Sequence, residues 1–270
     1  MEENEQLKSL LETVLEVSGF DFRNYAYSSL HRRVAQRIQL EKLTTIGELQ
    51  EKIRTDAEVL ERLLRGLTVN VTSMFRDPGF YRVLREDVVP VWRTHPFVRL
   101  WVAGCSSGEE VYSLAILLHE EGLLSRVRVY GTDICEPMLN KAKAAVFPLA
   151  SMQDYTKAYH DAGGRADFSD YYTADRDAVI MRPFLRENVI FAAHNLVGDT
   201  SFNEFHGVFC RNVMIYFNRT LQARVHHLLH DSLADFGYLG LGRSETLRDT
   251  EQEGRYEIIS PRERIYRKLR

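Results

Sequence analysis

LWVAGCSSGEEVYSLAILL, residues 100–118, runs from an apolar strand-like stretch through a glycine turn into a helical pattern. A turn of this kind ordinarily cradles a phosphate at the helix N-terminus. Here Gly104 and Gly108 lead into Glu109 and Glu110, with neither a G-x-x-x-x-G-K-[ST] lysine nor a G-x-G-x-x-G run. Two carboxylates repel a polyphosphate where the local dielectric is low. A dinucleotide fold places its ribose-binding acid about 20 residues past the turn. Asp133, at the end of the next strand-like run, lies 29 residues beyond Gly104.

The ligand that suits an acidic turn is cationic and carries no phosphate. S-adenosylmethionine, an adenosine joined to an amino acid through a positively charged sulfur, has that chemistry. Glycine lets the backbone approach such a ligand, and Glu109 or Glu110 can attract its cationic end. Asp133 suits the ribose hydroxyls, because open α/β sheets bind ligands beyond the C-terminal edge of their strands. The plainer alternative is that the two glutamates only complement a helix N-terminus.

Composition sets wide bounds. The 270 residues are 44% hydrophobic and 27% charged, with a net charge of −3, so nothing points to nucleic acid. No apolar run approaches the roughly 18 residues of a membrane span, and MEENEQLKSL lacks the layout of a signal peptide. Cys105, Cys135 and Cys210 lie in or beside apolar runs and read as reduced thiols. A cytoplasmic chain, without membrane insertion, is expected.

Organisation follows from periodicity. Leu7, Leu10, Leu11, Val14 and Leu15 recur at helical spacing, as do Leu30, Val34 and Ile38, then Ile46, Leu49 and Ile53, then Leu60, Leu63, Leu64 and Leu67. Past Pro90, strand-like runs at 98–104, 126–133, 188–195, 207–212 and 238–242 alternate with helical patterns from about Glu109, near 138–145 and near 219–235. That alternation predicts a mainly parallel sheet flanked by helices. Runs at 255–259 and 264–269 predict a terminal hairpin, and 163–182 an inserted one.

NVTSMFRD (70–77), AGCSSGEEVYSLA (103–115), TDI (132–134), HNL (194–196) and FCRNVMIYF (209–217) resemble the CheR family of bacterial chemotaxis methyltransferases over nearly the whole chain. The resemblance implies an α/β fold. A Rossmann-like S-adenosylmethionine-dependent sheet domain over 97–270 would carry an inserted β subdomain at about 163–192. A small all-helical domain over 1–80 and a linker over 81–96 would precede it. The implied reaction is methyl transfer to glutamate side chains of chemoreceptors, with S-adenosylhomocysteine as product. The implied partner is the receptor's cytoplasmic helical bundle, met by a monomer.

Carried over position by position, the resemblance implies a cofactor pocket of Asn70, Thr72, Arg76, Gly104, Glu110, Asp133, Asn195, Leu196, Arg211 and Asn212. Arg76 and Tyr216 would act catalytically beside the transferred methyl. Asn70 and Thr72 are also ordinary helix caps, and a tyrosine in an apolar run is commonly a core residue. Arg32, Arg33 and Arg37, on the second helix, are expected to read the receptor's acidic helices or else to form a solvated face. GRSET (242–246) departs from the family's usual Gly-His-Ser-Glu-Asn run at Arg243. In some members the hairpin corresponding to 163–182 binds a receptor's C-terminal peptide by strand addition; only position and β character match here.

HHLLH (226–230) places His226 and His230 four apart, but His227 stands where H-E-x-x-H has its general base. No metal is expected, and the histidines read as exposed. Two other functions stay open at this level: methylation of a different protein or small molecule, and a module that binds the cofactor and signals without catalysis.

Overall fold

The computed structural model describes residues 2–68, 72–248 and 250–270. By compactness it divides into a helical unit, residues 1–69 with 216–225, and a sheet unit, residues 70–215 with 226–270. Among the described residues, no helix is long and apolar enough to cross a membrane.

The helical unit holds α1 (Glu2–Ser18), α2 (Tyr27–Leu40), α3 (Ile46–Thr55) and α4 (Ala57–Leu67). Their apolar stripes meet in one core that includes Leu7, Leu11, Leu30, Leu49, Ile53 and Leu63. Side-chain oxygens start two of these helices: Thr45 accepts from Glu48 N, and Asp56 from Glu58 N and Val59 N. The segment 216–218 belongs to this unit. Ala26 N donates to Tyr216 O at 2.8 Å, Asn218 N to Asn24 O at 2.9 Å, and Tyr25 bridges Phe217.

The sheet unit opens with α5 (Pro78–Val83), a π-helical turn (Leu84–Val88) and α6 (Val89–Trp92). Residues 78–80 were expected to close the helical domain and 81–96 to be linker; instead Phe80, Tyr81, Leu84, Val88, Val89 and Trp92 are buried in the main core. Pro78 opens this run in its first turn, and Pro90, where the sequence pattern changes, comes just after the π-helical turn. At Pro78 a missing N–H costs nothing, and at Pro90 the regular α-helical ladder is already interrupted by the preceding π turn.

Then come β1 (Val98–Ala103), α7 (Glu109–Glu120), β2 (Val127–Asp133), α8 (Glu136–Ala144), β3 (Val146–Pro148) and α9 (Met152–Asp161). They are followed by β4 (Tyr172–Asp175), β5 (Ala178–Met181), β6 (Val189–Ala193), β7 (Phe205–Cys210), α10 (Arg219–Asp231), β8 (Leu233–Leu241), β9 (Tyr256–Ser260) and β10 (Ile265–Lys268).

The seven-stranded sheet runs β6-β2-β1-β7-β8-β10-β9, parallel from β6 to β8, with the expected terminal hairpin antiparallel at one edge. The second, three-stranded sheet runs β3-β5-β4. The inserted hairpin is therefore present, but its bounds differ from 163–192. It recruits β3 from upstream, and 189–193 pairs with β2 in the main sheet. The last helix also ends earlier than the pattern near 219–235 suggested, because Leu233 pairs with Phe205.

Candidate functional site

β1 lies between β2 and β7, so the chain leaves the sheet in opposite senses on its two sides. At such a switch point a crevice opens beyond the strands' C-terminal ends. Gly104 follows β1, Asp133 ends β2, Asn195 is the second residue after β6, and Arg211 follows β7 directly. The sequence-predicted residues Gly104, Glu110, Asp133, Asn195, Leu196, Arg211 and Asn212 are thus brought to one edge.

The glycine turn is built for closeness. Gly104 has φ +75°, and a Cβ there would meet Val213 Cγ2 at 2.5 Å. The Gly104 and Cys105 amides both donate to Thr132 O, at 2.8 and 2.9 Å, tying the turn to β2. Asp133 continues this work: its two oxygens accept from Ser106 N and Cys135 N, each at 2.8 Å. Asp133 therefore shapes both loops around the crevice, which the sequence reading had not assigned to it. Against the upward push of burial, the Ile134 amide also lowers this carboxyl, and the carboxylate keeps capacity for a further donor.

The two carboxylates after the turn have separate fates. Glu109 is buried and accepts from Ser107 Oγ at 2.9 and 2.8 Å. Glu110 turns to Arg211, whose Nη1 donates to its Oε2 at 3.0 Å. Its other oxygen, Oε1, is buried without a hydrogen-bond partner. Burial pushes the Glu110 carboxyl above its ordinary value, against the pull of Arg211 and Arg76. A buried anionic oxygen with open acceptor capacity is what a cationic ligand group would complete.

Arg211 is the hinge of a charge network. Its side chain is 1% exposed, and its guanidinium lies 4.1 Å from the Phe80 ring centre. Besides Glu110 it donates through Nη2 to Arg76 O at 2.9 Å and to Asp77 Oδ2 at 3.0 Å. Asp77 holds a left-handed backbone, φ +57°, and its Oδ1 lies 3.5 Å from Arg243 Nη1. Arg243 also forks onto Glu263, Nη2 to Oε1 at 2.8 Å.

Glu245 is the functional-edge residue that sequence reasoning missed. Its Oε1 accepts from Val213 N and Met214 N, and its Oε2 from Asn212 N and Gly242 N, at 2.6 to 2.9 Å. One buried carboxylate thus holds the loop after β7, where Asn212 takes φ +60°. Its only signal was the glutamate shared between GRSET and the family's run.

Other expectations change. Asn70 lies outside the described residues, and Thr72 is half-buried before α5. Asn195 folds its own loop, with its Oδ1 accepting from Val197 N at 2.9 Å, and Leu196 is buried. Tyr216 belongs to the helical unit and Arg76 to the sheet unit. The arginines of α2 do not form a uniformly solvated face. Arg33 lies 4.9 Å from the Tyr216 ring centre and bonds Leu67 O. Arg37 pairs with Glu41 at 3.3 Å. The Glu41 carboxyl is lowered to about 2, chiefly by the bond from Arg62. Arg32 remains exposed.

His226 and His230, expected to be exposed, are buried; His227 is the outward member. Burial lowers His226 to about 4. The spacing had correctly put them on one face, but that face packs inward. Among the described residues no three His, Cys, Asp or Glu are grouped to hold a metal.

Two family models match most of the chain. Residues 70–263 match the description "CheR methyltransferase, SAM binding domain", and residues 5–68 match "CheR methyltransferase, all-alpha domain". Cher3 of Pseudomonas putida is 43% identical over 263 residues, 97% of this chain and 96% of that one. A protein of Pseudomonas aeruginosa named chemotaxis protein methyltransferase 1 is 31% identical over 255 residues, 88% of each. A Geobacter sulfurreducens S-adenosylmethionine-dependent methyltransferase, solved with S-adenosylhomocysteine, is 16% identical with a TM-score of 0.35, covering 63% of this chain and 49% of that one. The chain belongs to the CheR family and is an S-adenosylmethionine-dependent protein methyltransferase.

Proposed function

We propose that the protein methylates glutamate side chains on the cytoplasmic helical bundle of a chemoreceptor, acting as a monomer. The observation that carries the cofactor's pose is Glu110 Oε1, a buried acceptor left open beside Arg211 at the crevice. Glu110 takes the cofactor's ammonium group, Asp133 its ribose hydroxyls, and Thr72, Arg76, Asn195, Leu196, Arg211 and Asn212 enclose the rest, with Asn70. When bound, S-adenosylmethionine supplies a methyl on a cationic sulfur, so transfer breaks a C–S bond and forms the C–O bond of a methyl ester.

The substrate glutamate, with a reference pKa of about 4.3, is already ionised near neutrality and needs no general base. What remains is to hold its oxygen in line and keep water out. Arg76 steers the carboxylate by charge-assisted bonds, and Tyr216 donates one directional bond. On α2, recognition of an acidic partner helix falls chiefly to Arg32, since Arg33 and Arg37 are already engaged.

Incubation with radiolabelled cofactor and receptor fragments should give base-labile methyl esters on glutamate. Tyr216→Phe should lower turnover about tenfold or more while changing cofactor affinity less than twofold. Labelling of some other protein class, with none on receptor fragments, would remove the substrate assignment.

Cofactor affinity should also depend on pH through Glu110. Its carboxyl sits above 4.5 in the free protein because of burial, and a cationic ligand binds the ionised form. Affinity is therefore full above that raised pKa and falls as pH drops through it, up to tenfold per unit. Calorimetry with S-adenosylhomocysteine should show this fall in the wild type. Glu110→Gln should bind more weakly and show no such inflection.

A further inference from the structure

We propose that Arg243 is a positioning residue for the cofactor site, keeping the open oxygen of Glu110 available by holding Asp77 against Arg211. The inference rests on the reading of Glu110 as the carboxylate that takes the cofactor's cationic end.

The geometry forms one line of alternating charge. Glu263 anchors Arg243, with Arg243 Nε to Oε2 at 3.1 Å and Nη2 to Oε1 at 2.8 Å. Arg243 Nη1 reaches Asp77 Oδ1 at 3.5 Å. Asp77 Oδ2 accepts from Arg211 at 3.0 Å, and Arg211 reaches Glu110 Oε2, also at 3.0 Å. Exposure falls along the line: the side chains of Arg243, Asp77 and Arg211 are 42%, 21% and 1% exposed. The outer arginine is therefore the accessible end of a connection that finishes in the pocket.

Its effect follows from how a guanidinium shares its donors. Arg211 divides its two terminal nitrogens between Glu110 on one side and Asp77 with the Arg76 carbonyl on the other. Asp77 is the partner most able to leave, because it is part-exposed. It is held there by Arg243. Once Asp77 turns to solvent, the nearest carboxylate left to Arg211 is Glu110, and a two-armed fork onto Glu110 covers Oε1 as well as Oε2. The ligand's ammonium then competes with a buried arginine for the same oxygen.

The test uses the full-length protein and S-adenosylhomocysteine, with Kd measured by calorimetry. Arg243→Gln should weaken binding about fivefold at pH 8, and Arg243→Lys, which keeps the charge, should recover most of that loss. Arg243→His gives a readout that packing alone would not move. The new imidazole would face the carboxylates of Asp77 and Glu263, with Arg211, Arg262 and Arg264 as the neighbouring cations. Its protonated form replaces the arginine and its neutral form does not. The ratio of its Kd to that of wild type at the same pH should fall from about five at pH 8 towards one at pH 6.

A flat ratio, or an Arg243→Gln variant within twofold of wild type, overturns the proposal. If that happens while Glu110→Gln still binds weakly, the reading of Glu110 stands and only the role of Arg243 is lost. If Glu110→Gln binds like wild type, both fall.

Discussion

Replacing Arg211 by Met should destabilise the sheet unit by about 3–5 kcal/mol, the range for removing one partner of a buried ion pair. The substitution keeps the length of the side chain and its packing on Phe80 but removes every donor. Glu110 is then left with neither oxygen paired, and Asp77 loses its inner partner. The Arg76 carbonyl is also uncovered. The loss should be readable as a lower urea midpoint for the transition that reports the sheet unit, because a chain of two units need not unfold in one step. The triple variant Arg211→Met, Glu110→Gln, Asp77→Asn removes the stranded charges. It should regain much of the stability and none of the cofactor binding. A single variant that loses less than about 1 kcal/mol would mean that packing, not the charge network, holds this edge.

The second large effect is expected at Glu245. Four backbone N–H groups converge on its carboxylate, and each donor left dry and unpaired costs about 1–3 kcal/mol. Water admitted by the smaller side chain will recover part of this, so Glu245→Ala should cost about 4 kcal/mol. Glu245→Gln is not a mild change here. Its amide nitrogen would point two donors at backbone N–H groups, so at most one oxygen's pair of bonds survives. Both variants should show a large drop in melting temperature and weaker S-adenosylhomocysteine binding, since Asn212 and the Gly104 turn, which packs on Val213, move with the loop. If Glu245→Gln melts with wild type, the loop is held by something other than this carboxylate.

These two residues mark how far the candidate site was legible. Gly104, Glu110 and Asp133 were picked out because turn chemistry and the ends of strand-like runs are local signals, whereas Arg211 came only from the family resemblance. The open α/β rule then puts such ends at one edge. The same signals gave no hint that Asp133 would fasten Ser106 and Cys135. They gave none that Glu110 would share Arg211 with Asp77, or that Arg243 would reach Asp77. Apart from the local Asp133–Cys135 bond, those partners stand far apart along the chain, and a hydrogen bond between distant residues leaves no period to read.

Apolar spacing by itself determined the four helices before residue 68 and the parallel strands with their antiparallel edge hairpin. Each of those patterns repeats within one element and names the face that must leave water. Tertiary structure alone decided that 78–92 is core helix, since proline's effect depends on which helical turn it occupies. It alone decided that His226 and His230 face inward: spacing shows which residues share a face, and only the neighbour packed on it shows whether that face is wet. For the same reason α2's arginines looked equivalent in sequence, and only the fold separated Arg33 and Arg37, engaged with their own unit, from the exposed Arg32.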